Sequence, residues 1–174
     1  LAFHNQAVGG TTTAVLPQQI ASLPTQLPGP VAVVVSANGD FRAAHVECCG
    51  RFPQDAARTL ARNIGAVLSD LLRPGRFGPG VDVRVFWTNV VPPTEIVACP
   101  NLALWNAVIE ETVAAFDQTV VDAFQHFRGH GCNTDGSWLE GLIDCVHYNP
   151  TGHDQMARLL YLAIVGAPRP GPTN

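Results

Sequence analysis

The chain has 174 residues, 47% of them hydrophobic and 14% charged. That is long enough for one sizeable core and too short to make two domains the expectation. Fourteen acids against ten bases leave a formal net charge of −4 without runs of either sign, so no basic stripe exists to neutralise phosphates and nucleic-acid binding is not expected. No apolar stretch approaches the roughly 20 residues that a transmembrane helix needs.

In chain order, "LAFHNQAV" (1–8) reads as a strand running into Gly9-Gly10. "TTTAVLPQQIASL" (11–23) reads as a helix in which Pro17 must lie near the start or form a kink. "VAVVVS" (31–36) is the clearest strand, a β-branched run that predicts burial on both faces, as in a parallel sheet. Residues 53–72 predict a helix with Pro53 near its first turn and apolar positions at 56, 60, 64, 67, 68 and 71. "VDVRVFWTNVV" (81–91) is the next strand, closed by Pro92-Pro93. Residues 101–127 begin as an amphipathic helix with Asn101 as its expected cap and change to a short strand from about Thr119. A final helix is expected over 152–166, apolar at 156, 159, 160, 163 and 164, followed by a Pro/Gly-rich tail at 167–174. Residues 1–166 thus form one α/β domain with a mainly parallel sheet. Its sites are expected at the carboxyl ends of the strands, namely Gly9-Gly10, Ala37 to Asp40 and Thr88-Asn89.

Three places can carry chemistry. In "DCVHYNPTGH" (144–153), Asp144 precedes His147 by three residues on a turn-rich segment. A carboxylate accepting the ring Nδ1–H fixes the tautomer and leaves Nε2 as a general base. His153, which opens the last helix, is a competitor expected only to cap or to face solvent. Gly10, between a strand and a helix, can offer a bare N–H to an oxyanion; a tight turn explains it equally well. Asn38 in "VVVSANGD" can donate its amide to the same hole, or Asn-Gly can simply make the turn.

Taken in order, "NQAVGGTT", "VVVSANGD" and "DCVHYNPTGH" resemble the later sequence blocks of the SGNH (GDSL-type) esterase and lipase family, and the resemblance covers nearly all of the chain. It implies a flavodoxin-like three-layer α/β/α sandwich and a serine-type ester hydrolase. The oxyanion hole would come from Gly10 and Asn38, the acid from Asp144 and the base from His147. Ser36 stands where the family has glycine, and Gly39 is inserted before Asp40. No G-D-S occurs, and Ser22, Ser36, Ser69 and Ser137 do not fit the nucleophile's place at the end of the first strand. The resemblance therefore implies that the nucleophile and the first strand belong to an upstream segment or a second chain. Leu1 with no initiator Met fits a processed or excised piece. No metal or organic cofactor is implied; the partners are an ester substrate and the serine-bearing segment. A non-catalytic relative used for binding stays open, as does a flavodoxin-like cofactor binder with "GGTTT" as a faint phosphate loop.

Cysteines at 48, 49, 99, 132 and 145, with no C-x-x-C, suggest an exported protein with disulfides rather than a metal site. Cys132 is the nearest partner for Cys145, and Cys99 can pair with Cys48 or Cys49. The odd count leaves one cysteine for a bond outside the chain.

Overall fold

The computed structural model describes residues 2–8, 11–37, 40, 51–91, 100–132, 134–140 and 147–166. A 3-10 turn (Thr13–Val15) leads into helix α1 (Leu16–Ala21), followed by strand β1 (Val31–Ser36), helix α2 (Gln54–Leu71) and strand β2 (Val83–Thr88). Helix α3 (Pro100–Ala114), strand β3 (Thr119–Val121), a single turn α4 (Ala123–His126) and helix α5 (Pro150–Gly166) complete the order.

Local chemistry explains most of these elements. Pro17 lies in the first turn of α1, where no N–H is required of it. Helix α2 buries Ala57, Leu60, Ile64, Val67, Leu68 and Leu71, a spacing of three and four residues that makes one continuous apolar face. Asn101 lies inside the first turn of α3 and is buried, so it does not serve as the expected cap. The switch from α3 to a short strand at Thr119 occurs where the β-branched residues predict it.

The strands form a parallel sheet in the order β1-β2-β3. Ser36 pairs with Thr88, and Thr88 with Val121, so all three carboxyl ends finish at one level. Val35, Val85 and Trp87 share a core with Leu16, Ile20, Ile64, Leu68, Trp105 and Ile109, which places α1, α2 and α3 on one face. Helix α5 packs on the opposite face, against β2 and β3. The architecture is therefore a three-layer α/β/α arrangement. A second cluster joins Ala123, Phe127, Cys132, Leu139 and Met156, and Leu159 and Leu160 of α5 pack against it.

Two expectations are corrected. Residues 2–8 form no strand and lie in solvent, with Phe3 87% exposed. A strand is stable only when its backbone groups are paired, and no described strand accepts this segment. The β1 run is not buried on both faces, since Val34 is 43% exposed. Among the described residues β1 is an edge strand, and α5 reaches β2 and β3 without covering it. Tyr161, Leu162 and Val165 on α5 are exposed as well. Of the five cysteines, Cys132 alone is described. It is fully buried and its sulfur is not free; no two described cysteines exist to form a pair, and the expected partners lie outside the described residues.

One-sided burial of the sheet edge has a measurable signature. Replacing the fully buried Ile64 by Ala should destabilise the 174-residue chain by about 2–5 kcal/mol, whereas Val34→Thr should change it by less than about 0.5 kcal/mol. Urea unfolding of both variants checks the contrast.

Candidate functional site

His147 sits at the base of a small antiparallel pairing. Leu139 bridges Tyr148, the Glu140 N–H donates to the His147 carbonyl at 2.8 Å, and the Asn149 N–H donates to the Trp138 carbonyl at 3.0 Å. The residues joining these two stretches carry Asp144, which lies outside the described residues, as do Gly10 and Asn38. His147 itself is exposed.

The residues after His147 explain why this short pairing holds. Asn149 caps α5, its Oδ1 accepting the Gly152 N–H at 2.9 Å while its Nδ2 donates to the Ser137 carbonyl at 2.7 Å. Pro150 occupies the first helical position, where a missing N–H costs nothing. Gly152 meets the Trp138 backbone so closely that a Cβ there would lie 1.9 Å from the Trp138 carbonyl oxygen. The run "NPTG" is thus a cap, a helix start and a close approach in succession. His153, expected to cap or to face solvent, is exposed in the first turn with its ring edge-on to Tyr148 at 5.6 Å; the capping is done by Asn149. Sequence reasoning missed Asn149, although Asn immediately before Pro with Gly three positions on is a helix-start signal. The adjoining turn is fixed by aromatic packing. His130 stacks on Trp138 at 3.6 Å with nearly parallel rings, and Phe127 packs edge-on to Trp138 at 5.2 Å.

The direction of α5 locates His147 within the fold. Arg84, near the start of β2, donates to the Ile164 carbonyl near the end of α5 at 2.8 Å. The helix therefore runs antiparallel to the strands. Its 17 residues span about 25 Å at 1.5 Å per residue, so its beginning, and His147 before it, lie toward the carboxyl ends of the strands.

At the same end, Asp40 holds the segment that follows Gly10. Its Oδ2 accepts the Thr13 N–H and its Oδ1 the Thr13 hydroxyl, both at 2.7 Å. Asn63 of α2 donates to the same hydroxyl oxygen at 3.0 Å. Thr13 is fully buried, so each of its polar groups needs the partner it has. Across Gly9-Gly10, the Thr11 hydroxyl donates to the Val8 carbonyl at 2.8 Å.

Asn89, at a strand end where a site is expected, is committed elsewhere. It is buried, its amide donates to Asp122 at 2.9 Å and to Glu110 at 3.2 Å, and its oxygen accepts the Phe124 N–H at 2.7 Å. Thr88 is buried too, with its hydroxyl 3.5 Å from the Val35 carbonyl. Nor do the serines supply a poised nucleophile. The Ser22 hydroxyl donates to the Gln19 carbonyl at 2.6 Å, and the Ser137 hydroxyl to the Leu139 carbonyl at 2.9 Å. Ser69 lies on the exposed side of α2, and Ser36 is the last residue of the edge strand. Among the described residues no cluster of His, Cys, Asp and Glu could hold a metal ion, and no helix is long and apolar enough to cross a membrane.

Comparison with known proteins identifies relatives of the fold. No family model matches the chain, and no curated protein matches it significantly. Among solved structures, a phospholipase A1 from Streptomyces albidoflavus NA297 superposes with a TM-score of 0.59 at 18% identity, over 87% of this chain and 76% of that one. The acetylxylan esterase Axe2 from Geobacillus stearothermophilus gives 0.60 at 14% identity, over 91% and 69%. An extracellular lipase from Streptomyces rimosus gives 0.56 at 16% identity, over 88% and 77%. At these identities the similarity is one of fold.

The contact beneath α5 makes Gly152 a sensitive position. Gly152→Ala should cost more than about 2 kcal/mol, because backbone rather than a flexible side chain would have to move. Asn149→Ala should cost about 1 kcal/mol through loss of the cap. Thermal and urea unfolding of the two variants check the order.

Proposed function

We propose that the chain is the larger part of a serine-type ester hydrolase acting on carboxylic esters (lipid, acyl or sugar esters), with its serine supplied by a segment outside these 174 residues. The observation that carries this reading is that Asp40, two residues after Asn38, holds Thr13, three residues after Gly10, at the end of the sheet toward which the direction of α5 places His147. The relatives of the fold named above, a phospholipase, an esterase and a lipase, support it. So does the edge of β1. Its outer side is unpaired among the described residues, as suits a further strand that would complete a flavodoxin-like sheet.

In this reading Asp144 accepts the Nδ1–H of His147, and His147 takes the serine proton as the hydroxyl oxygen attacks the ester carbonyl. The Gly10 N–H and the Asn38 amide donate to the oxyanion of the tetrahedral intermediate. His147 then gives its proton to the leaving alcohol, and water repeats the cycle on the acyl-enzyme. The protein would be exported, in keeping with five cysteines in a chain with few basic residues. A second reading, a non-catalytic binding protein of the same fold, is favoured by the serines, none of which occupies the nucleophile's place at the end of a first strand, and two of which donate to backbone carbonyls. Intact-mass analysis of the whole native particle separates the two. A linked or continuous peptide with a serine at a strand end supports the hydrolase, and its absence supports the binder.

Mutation tests the roles. In the complete enzyme His147→Ala should lower kcat for a p-nitrophenyl ester by several orders of magnitude, while His153→Ala should be nearly neutral. Asn38→Ala should raise the barrier by about 3 kcal/mol, and Asn38→Asp should be worse, since it places a negative charge where another must develop. Wild-type turnover in His147→Ala would remove the base from the mechanism.

A further inference from the structure

The contacts of Thr13 reach further than the packing of one buried side chain. Thr13 lies three residues after Gly10, and Asp40 lies two residues after Asn38. Both Asp40 oxygens are spent on Thr13, one on its N–H and one on its hydroxyl, and Asn63 fixes that hydroxyl from helix α2. Two hydrogen bonds from one residue to the two oxygens of one carboxylate fix orientation as well as distance, because a rotation of either group breaks one of them. Asn63 belongs to a core helix, with Ile64 beside it fully buried, so the assembly is referred to the core and not to a loop. The Thr11 hydroxyl also donates to the Val8 carbonyl.

We propose that Asp40 is a positioning residue which, through Thr13 and Asn63, sets the spacing between the Gly10 and Asn38 donors. This rests on the ester-hydrolase reading given above. Asp40 touches neither substrate nor oxyanion; its oxygens are occupied by Thr13. The device matters because oxyanion stabilisation depends on donors already in place, and a displacement of about 1 Å costs about 100-fold in rate. Gly10 and Asn38 belong to separate stretches of the chain, so their separation has to be set by a link between those stretches, and Thr13 and Asp40 are joined close to each of them in sequence. Thr13 provides that link with both its backbone and its side chain.

The test uses the complete enzyme, serine-bearing segment included, with p-nitrophenyl acetate as substrate. Asp40→Ala and Thr13→Val should each lower kcat by about 10- to 100-fold while leaving KM within about twofold. Thr13→Ser, which keeps both hydrogen bonds to Asp40, should stay within about threefold of the wild type. In an Asn38→Ala background, Asp40→Ala should add less than about threefold, since the donor it positions is already gone. Circular dichroism and thermal melting verify folding, and if Asp40→Ala does not fold, the Thr13→Val and Thr13→Ser pair carries the comparison. Unchanged kcat in a folded Asp40→Ala or Thr13→Val enzyme overturns the proposal. A loss confined to KM does so too, as does a full multiplicative loss on top of Asn38→Ala. Wild-type kcat in Asn38→Ala alone overturns the hydrolase's oxyanion hole instead, a result separable because nothing at Asp40 has been changed. No ester hydrolysis in any form of the complete enzyme overturns both.

Discussion

Parallel pairing in register is the constraint on which everything else depends. Because Ser36, Thr88 and Val121 end level with one another, the loops that follow the strands start from one rim. Had one strand slipped by a residue, its alternate side chains would have exchanged faces and the core beneath would be lost. The register is held from below by Val35, Val85 and Trp87 packed against α1, α2 and α3. The apolar core therefore determines where the polar ends of the strands stand.

That rim is polar and largely dry, a costly combination unless every group is matched. Asn106 meets the condition by imitating a strand, accepting from the Val90 N–H at 2.9 Å and donating to the Val90 carbonyl at 3.0 Å. Asn89 meets it by joining β2 to α3 and to the turn that begins at Asp122, whose carboxylate also caps α4 through the Gln125 N–H. These amides hold the rim rigid, which is why Asn89 has no donor left to offer. A chemical site can then be built on the loops above a fixed base, the usual division of labour in α/β folds.

How much of this was legible follows from how local each cause is. The helical spacing of Leu60, Ile64, Val67, Leu68 and Leu71 and the β-branched run 31–36 are short-range signals, and both elements form where they predict. The switch at Thr119 was legible for the same reason. The strand expected over 1–8 failed because alternation alone cannot supply a pairing partner, and the two-sided burial expected of β1 failed because burial depends on what lies across the sheet. Of the candidate site, the direction of approach to His147 and the anchoring of Thr13 are structural facts, and the second was invisible because 27 residues separate Thr13 from Asp40. Gly152 was legible as part of a motif but not as a cause, since its reason lies in the backbone of Trp138.

The short pairing that carries His147 has a consequence for heat. Among the described residues its supports include one bridge, two backbone hydrogen bonds, the Asn149 side chain and ring packing around Trp138, and they lie outside the main cluster that contains Ile64 and Trp87. Such a unit opens at a lower free energy than the core does, so warming loosens it while the sheet remains intact. His147 would thus be released from its setting before the molecule as a whole gives way, in a protein that is still folded by most bulk measures.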